Sequence, residues 1–217
     1  MQDHKFTNRA GMITRAKYRI VHLLAAIFVI ACAGFGYPQG SQSNAGLHKQ
    51  VPLSSSRLPL KFPWAGGLNS CQFCAIDLNL DGINDLLVFD RHGNRRLTFI
   101  NHGTSNTIDY TFEPGFSAGL PDLHDWVITA DYNRDGRMDI FTYGMGGVRV
   151  YENISDSSLK FRLVTGMLES FYYTGKVGIL VTSVDYPALA DIDGDGDLDL
   201  LTFFGLGSYV EYHKNLS

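Results

Sequence analysis

Three stretches of the chain repeat one arrangement of oxygen-bearing side chains: Asp77-Leu78-Asn79-Leu80-Asp81-Gly82-Ile83-Asn84-Asp85, Asp131-Tyr132-Asn133-Arg134-Asp135-Gly136-Arg137-Met138-Asp139 and Asp191-Ile192-Asp193-Gly194-Asp195-Gly196-Asp197-Leu198-Asp199. They align without gaps and start 54 and 60 residues apart. Oxygens at positions 1, 3, 5 and 9, with a main-chain carbonyl from position 7, surround one point when the Gly at position 6 lets the chain reverse sharply. A hard cation with roughly six to eight oxygen ligands satisfies such a cluster, and calcium is the natural choice at extracellular concentrations. Without an ion, carboxylates facing one another raise each other's pKa and destabilise the turn. Asp, Asn and Gly also favour turns that hold no metal. Three stretches in register, holding 11 of the 18 Asp of a chain with only four Glu, argue for the ion.

The elements that must position these loops are short strands. Each loop follows a strand-like run (72–76, 126–130, 187–190) and precedes another (86–89, 140–143, 200–204). A Gly-rich turn comes next, then a third strand ending on Asn101, Asn153 or Asn215. In the first two repeats a fourth apolar run follows, at 110–112 and 161–164. The unit is a four-stranded antiparallel meander of about 50 to 60 residues, the content of a propeller blade. An EF-hand would need helical flanks and an acid at position 12, where this chain has Val88, Thr142 and Thr202. The metal loop therefore sits inside a β-hairpin.

These residues resemble the FG-GAP and VCBS repeats of integrin α-subunit propellers and of many secreted bacterial proteins. The D-x-[DN]-x-D-G-x-x-D pattern carries the likeness, which covers residues 58–217. The wording of the repeats looks most like bacterial secreted or cell-surface members, and the Gly-Ala-Pro element of the FG-GAP name is absent. The resemblance implies a β-propeller with calcium in the loops joining the first two strands of each blade. By position, it makes Asp77, Asn79, Asp81 and Asp85, then Asp131, Asn133, Asp135 and Asp139, then Asp191, Asp193, Asp195 and Asp199 side-chain ligands. Main-chain carbonyls of Ile83, Arg137 and Asp197 would complete up to three Ca2+ sites. The third loop gathers five Asp, whereas Arg134 and Arg137 subtract field in the second. The expected order is therefore third tightest and second weakest.

The N-terminus reads as an address. Arg15, Lys17 and Arg19 precede the apolar run 20–33, the layout of a secretory signal, and 14 residues fall short of a spanning helix of about 20. Met12 is an alternative start. Ala31-Cys32-Ala33 fits one cleavage site, and Val29-Ile30-Ala31-Cys32 resembles a lipoprotein box that would lipidate Cys32. The first is preferred, because Ala33-Gly34-Phe35 makes a poor polar tether. Residues 1–33 are read as signal peptide, 34–57 as a flexible lead and 58–217 as three blades, at about 58–115, 116–165 and 166–217. Loss of 1–33 takes the net charge from -4 to -8, from 13 cations against 21 acids. Such a chain is too acidic to neutralise phosphates, so nucleic acid is not an expected partner.

Cys71 and Cys74 then remain. In a strand their α-carbons lie roughly 10 Å apart, past the ~7 Å limit for a disulfide, so they are expected unbridged with Cys74 in the core. His92, His102, His124 and His213 are expected at the surface and Trp126 in the core. Trp64, Trp126 and Tyr172-Tyr173 are the aromatic candidates for stacking on sugars.

Three blades are too few for a closed propeller, usually of about four to eight, and the third repeat stops after its third strand. Residues 58–64 are the expected donors of its fourth, and the chain reads as the N-terminal part of a larger propeller. No G-x-S-x-G, H-E-x-x-H or G-x-x-x-x-G-K-[ST] occurs, so no enzyme is expected. The reading is a secreted or surface calcium-binding propeller that serves as a structural, adhesion or ligand-binding module for an extracellular protein or carbohydrate. It meets the membrane only through its signal or a lipid on Cys32. The alternative is an accessory or incomplete part of an extracellular polysaccharide-degrading enzyme.

Overall fold

The computed structural model describes residues 6–8, 54–55, 58–59, 62, 65–173 and 175–216. The segments read as signal and lead lie outside these residues except for short strands, as do Cys32 and Trp64. In chain order the strands are β1 (Phe6–Asn8), β2 (Ser54–Ser55), β3 (Leu58–Pro59), β4 (Cys71–Ile76), β5 (Asp85–Asp90), β6 (Arg95–Asn101), β7 (Tyr110–Phe112), β8 (Val127–Ala130) and β9 (Asp139–Gly144). Then come β10 (Gly147–Asn153), β11 (Phe161–Thr165), β12 (Glu169–Tyr172), β13 (Gly175–Gly178), β14 (Ala188–Ala190), β15 (Asp199–Phe203) and β16 (Val210–Asn215). Among the described residues the helical element is a 3-10 turn, Pro114–Gly119. The protein is all-β.

The chain divides into two units, Met1–Ala10 with Ala65–Ser217, and Gly11–Trp64. In the second, β2 and β3 pair as a short hairpin. The first unit holds three sheets built on the repeats, antiparallel throughout except that β1 lies parallel to β12 in the third. Sheet one runs β4-β5-β6-β7, sheet two β11-β10-β9-β8 and sheet three β13-β12-β1-β16-β15-β14. In each, the nine-residue loop joins the two strands that open the repeat.

Side chains alternate between the two faces of a strand, and the sheets use both. Ile140 joins Cys74, Ile76, Leu87 and Phe89 of sheet one in a first core. Its neighbour Phe141 turns the other way, with Trp126, Val148 and Val150, onto Leu200 of sheet three. The inner strands of sheet two are thus buried on both faces, which is why β9 is almost continuously buried while the edge strand β11 is largely exposed. Each side chain removed fully from water contributes about 1.5–3 kcal/mol, so these two cores hold the hairpins that carry the loops. Strand β15 ends differently, with Phe203 46% exposed.

The expected strands of the three repeats fall where the sequence places them, within one or two residues. Cys71 and Cys74 are free thiols, and Cys74 is buried with its Sγ donating to the carbonyl of Val127 at 3.5 Å. Trp126 is fully buried. Two expectations are corrected. Leu58–Pro59 pairs with Ser54–Ser55, and the strand beside β16 is β1. Proline has no N–H to give a ladder, so Pro59 and Pro63 suit residues 58–64 poorly for insertion in a sheet. His213 is not at the surface but fully buried in β16. The hairpin β12–β13 was not legible as strands, and it lies in the longer, 60-residue interval between loops.

Candidate metal centre

The three loops share one backbone. Position 6 is left-handed in each, with φ of 85° at Gly82, 85° at Gly136 and 91° at Gly196. A Cβ at Gly82 or Gly136 would meet nothing within 4 Å, so conformation rather than space demands glycine. Position 4 is left-handed too, at Leu80 (65°), Arg134 (61°) and Gly194 (77°). With two reversals in three residues, the loop wraps its own first side chain.

That side chain organises the turn. Asp77 Oδ1 accepts the N–H of Leu80 at 2.7 Å and of Asp81 at 3.2 Å, and its Oδ2 that of Gly82 at 2.8 Å. Asp131 accepts from Asp135 and Gly136 at 3.0 and 2.8 Å, and Asp191 from Gly194 and Gly196 at 2.7 and 3.0 Å. At position 3, the side-chain oxygens of Asn79 and Asn133 each take the N–H of position 5 at 3.1 Å. Position 5 in turn takes the N–H of position 7, at 2.8, 2.9 and 3.0 Å for Asp81, Asp135 and Asp195. Positions 1, 3 and 5 are thus drawn together, with the Asn79 and Asn133 amides also donating to Asp81 and Asp135 at 2.8 and 3.2 Å, and the ligand atoms these side chains can offer a metal are oxygens. Such a set fits a hard divalent cation. In the third loop the carboxylates of Asp191, Asp193 and Asp195 bring three oxygens within 4.8 Å of one another.

Position 9 braces the turn from below. Asp85, Asp139 and Asp199 are 2%, 0% and 0% exposed. One oxygen of each takes the N–H of position 2 (Leu78, Tyr132, Ile192) at 2.8, 3.0 and 3.1 Å. The other takes the N–H of the Asn that ends the third strand (Asn101, Asn153, Asn215) at 2.7, 2.7 and 2.8 Å. The Asn101 and Asn153 amides return a bond to the carbonyls of Asn84 and Met138, each at 3.1 Å. The Asn at the end of strand three was visible in the sequence, but its partner was not. Burial pushes the Asp139 carboxyl up to about 6 against these bonds, and raises that of Asp85.

The loops differ in their neighbours. Among the described residues no Lys, Arg or His pairs with Asp77, Asp81 or Asp85. In the second loop Arg137 Nη2 donates to Asp135 Oδ2 at 2.6 Å, while its Nε donates to the Asn153 carbonyl at 3.0 Å. Arg134 leaves its own loop and pairs with Asp197 of the third. Lys214 of β16 pairs with both Asp193 and Asp195, the latter at 2.9 Å. Its hydrogen bonds hold the Asp195 carboxyl below the usual range. Asp199 also accepts from the Tyr212 hydroxyl at 3.0 Å, and burial and this carboxylate push that phenol up to about 12. A cleft of about 310 Å3 between the first two loops is lined by Asp77, Leu80, Asn84 and Arg137 among others.

Of the histidines, His92 and His102 are exposed and His124 is half-buried, its Nε2 2.9 Å from Asp122 Oδ2. His213 is the exception: burial pushes it down to about 4. Tyr173 is 98% exposed and Tyr172 half-buried.

The model of the FG-GAP-like repeat family matches residues 77–142 and again 131–202. Each match opens on the first Asp of a loop and runs into the strand that follows the next loop, so the two together span 77–202, more than half of the 217 residues. No curated protein and no solved structure matched the chain.

Proposed function

The chain belongs to the FG-GAP-like repeat family, and from that premise we propose that it is a calcium-binding β-propeller module, secreted or held at the cell surface, that binds an extracellular protein or carbohydrate. One observation carries the reading: three loops of the same backbone gather side-chain oxygens at positions 1, 3 and 5 between paired strands. Calcium would be held by Asp77, Asn79 and Asp81 in the first loop and by their counterparts in the others. It would tie the hairpin ends and leave exposed loops to meet the partner. The role is structural and adhesive rather than catalytic.

Export rests on the charged start and apolar run of residues 15–33. Among the described residues no helix is long and apolar enough to cross a membrane. Cleavage after residue 33 would remove β1 from its place beside β16, and the sheet edge so freed would accept a strand from elsewhere in a larger ring.

The experiment is thermal unfolding of the full chain in calcium and in chelator. A ion that binds only the folded form raises its melting temperature by mass action. Expected is a calcium-dependent rise that Asp77→Asn with Asp81→Asn diminishes. Identical melting in both buffers refutes calcium binding.

A further inference from the structure

A cation reaches the third loop from β16. Lys214 sits one residue before the Asn that closes β16, where the first repeat has Ile100 and the second Glu152. Its Nζ donates to Asp193 and, at 2.9 Å, to Oδ2 of Asp195. These are two of the three carboxylates that converge in that loop. The side chain is only 25% exposed, so its ammonium is held at the mouth of the loop rather than waving in solvent. Arg134, arriving from the second loop, pairs with the nearly buried Asp197.

We propose that Lys214 is the resident cation of the third loop: it neutralises Asp193 and Asp195, latches the loop to β16 without metal, and must be displaced before a divalent ion can bind. The physical reason is tethering. An ammonium on the same chain competes at an effective concentration on the order of millimolar or more. A site that is competent only while the lysine is away binds its ion more weakly by the fraction of time it is open. An ion entering would also have to break two charge-assisted hydrogen bonds. The first loop, with no cation of its own among the described residues, carries no such handicap. The proposal rests on the reading of these loops as calcium sites for its metal arm, and on geometry alone for its latch arm.

The test uses the full chain, with Lys214→Met and, as the charge-preserving control, Lys214→Arg. In chelator, Lys214→Met is expected to melt several degrees lower than wild type, roughly the effect of a partly exposed ion-pair network, and Lys214→Arg close to wild type. With calcium as the only probe, Lys214→Met is expected to bind one more ion per chain, or to bind its weakest ion about tenfold tighter, and to recover its lost stability. Equal melting of Lys214→Met and wild type in chelator overturns the latch. An unchanged number and affinity of ions, where ions do bind, overturns the competition. If no variant binds calcium, the calcium reading falls by itself, and the chelator melts alone decide the latch.

Discussion

In the first loop, Asp77 gathers three main-chain N–H groups and Asp85 ties the turn to Asn101; in the third, Asp191 gathers two and Asp199 ties the turn to Asn215. The skeleton is the same, and the electrostatics are not. The first loop has three Asp and no paired cation among the described residues, whereas the third has five Asp and draws in Lys214 and Arg134. Counting acids ranks the third loop as the strongest site. Placing the cations argues for the first, because field at a site depends on all the charges within a few ångströms. The cations that argue against that count lie 21 and 63 residues away in sequence, beyond the reach of a nine-residue motif.

The largest effect should come from what the two loops share. Asp85→Ala leaves the N–H groups of Leu78 and Asn101 without their acceptor, and Asp199→Ala those of Ile192 and Asn215 together with the Tyr212 hydroxyl, at about 1–3 kcal/mol for each group that is buried. Expected is a loss of about 3 kcal/mol or more for either change, read as the shift in urea unfolding. Asp199→Ala should cost at least as much as Asp85→Ala, since it also frees the Tyr212 hydroxyl and the tie does not involve the cations. A mild Asp199→Ala beside a severe Asp85→Ala would break the claim that the loops share one frame.

The next effect separates the repeats. His213 faces Leu200 across the β15–β16 pair, where the first repeat places Phe99 opposite Leu86. Its Nε2 lies 3.2 Å from the Thr202 hydroxyl and 3.8 Å from Glu211, Tyr172 packs edge-on, and its Nδ1 has no hydrogen-bond partner among the described residues. Burial holds its pKa at about 4, against an ordinary value of 6.5. Above pH 6.5 the ring is neutral folded and unfolded, so its contribution is level. As the pH falls from 6.5 towards 4, the unfolded chain takes a proton that the folded chain refuses, and stability declines by up to about 3 kcal/mol. His213→Phe should flatten that limb of the stability–pH curve. An unchanged limb would show that the acid sensitivity lies elsewhere.

How much of this was legible in the sequence follows from range. Strand, loop and turn of each repeat are specified within about a dozen residues, and the strand-like runs around Asp77, Asp131 and Asp191 placed β4–β5, β8–β9 and β14–β15 correctly. The Gly at position 6 announced one left-handed residue, and Gly194 hinted at the second, which Leu80 and Arg134 hid. Lys214, the buried state of His213 and the insertion of β1 depend on contacts between distant segments, for which one sequence carries no local signal. Strands β12 and β13 were missed because Glu169, Lys176, Gly166 ahead of β12 and Gly175 and Gly178 within β13 blur any apolar alternation.

Calcium should then sharpen the contrast between loops. A ligand at about a hundredfold excess over its Kd adds roughly 2.7 kcal/mol. Paired changes Asp77→Asn and Asp81→Asn should remove most of the first loop's share of the calcium-induced rise in melting temperature. The equivalent pair Asp193→Asn and Asp195→Asn should remove little, because Lys214 already occupies those carboxylates. A larger loss from the third loop than from the first would restore the order that acid counting gives.

The smallest effect probes the backbone with no charge involved. Position 4 is left-handed in every loop, yet it is Leu80 in the first and Gly194 in the third. An L-residue in that region is strained by roughly 1–2 kcal/mol, and a Cβ at Gly194 would meet nothing within 4 Å. Gly194→Ala should therefore cost about 1 kcal/mol through conformation alone. Leu80→Gly should come out near neutral, since relief of the strain is offset by the greater freedom glycine gives the unfolded chain. Urea midpoints for the pair measure both. If Gly194→Ala were free, the third loop would not share the first loop's double reversal, and its convergent carboxylates would need another scaffold than the one that arranges Asp77, Asn79 and Asp81.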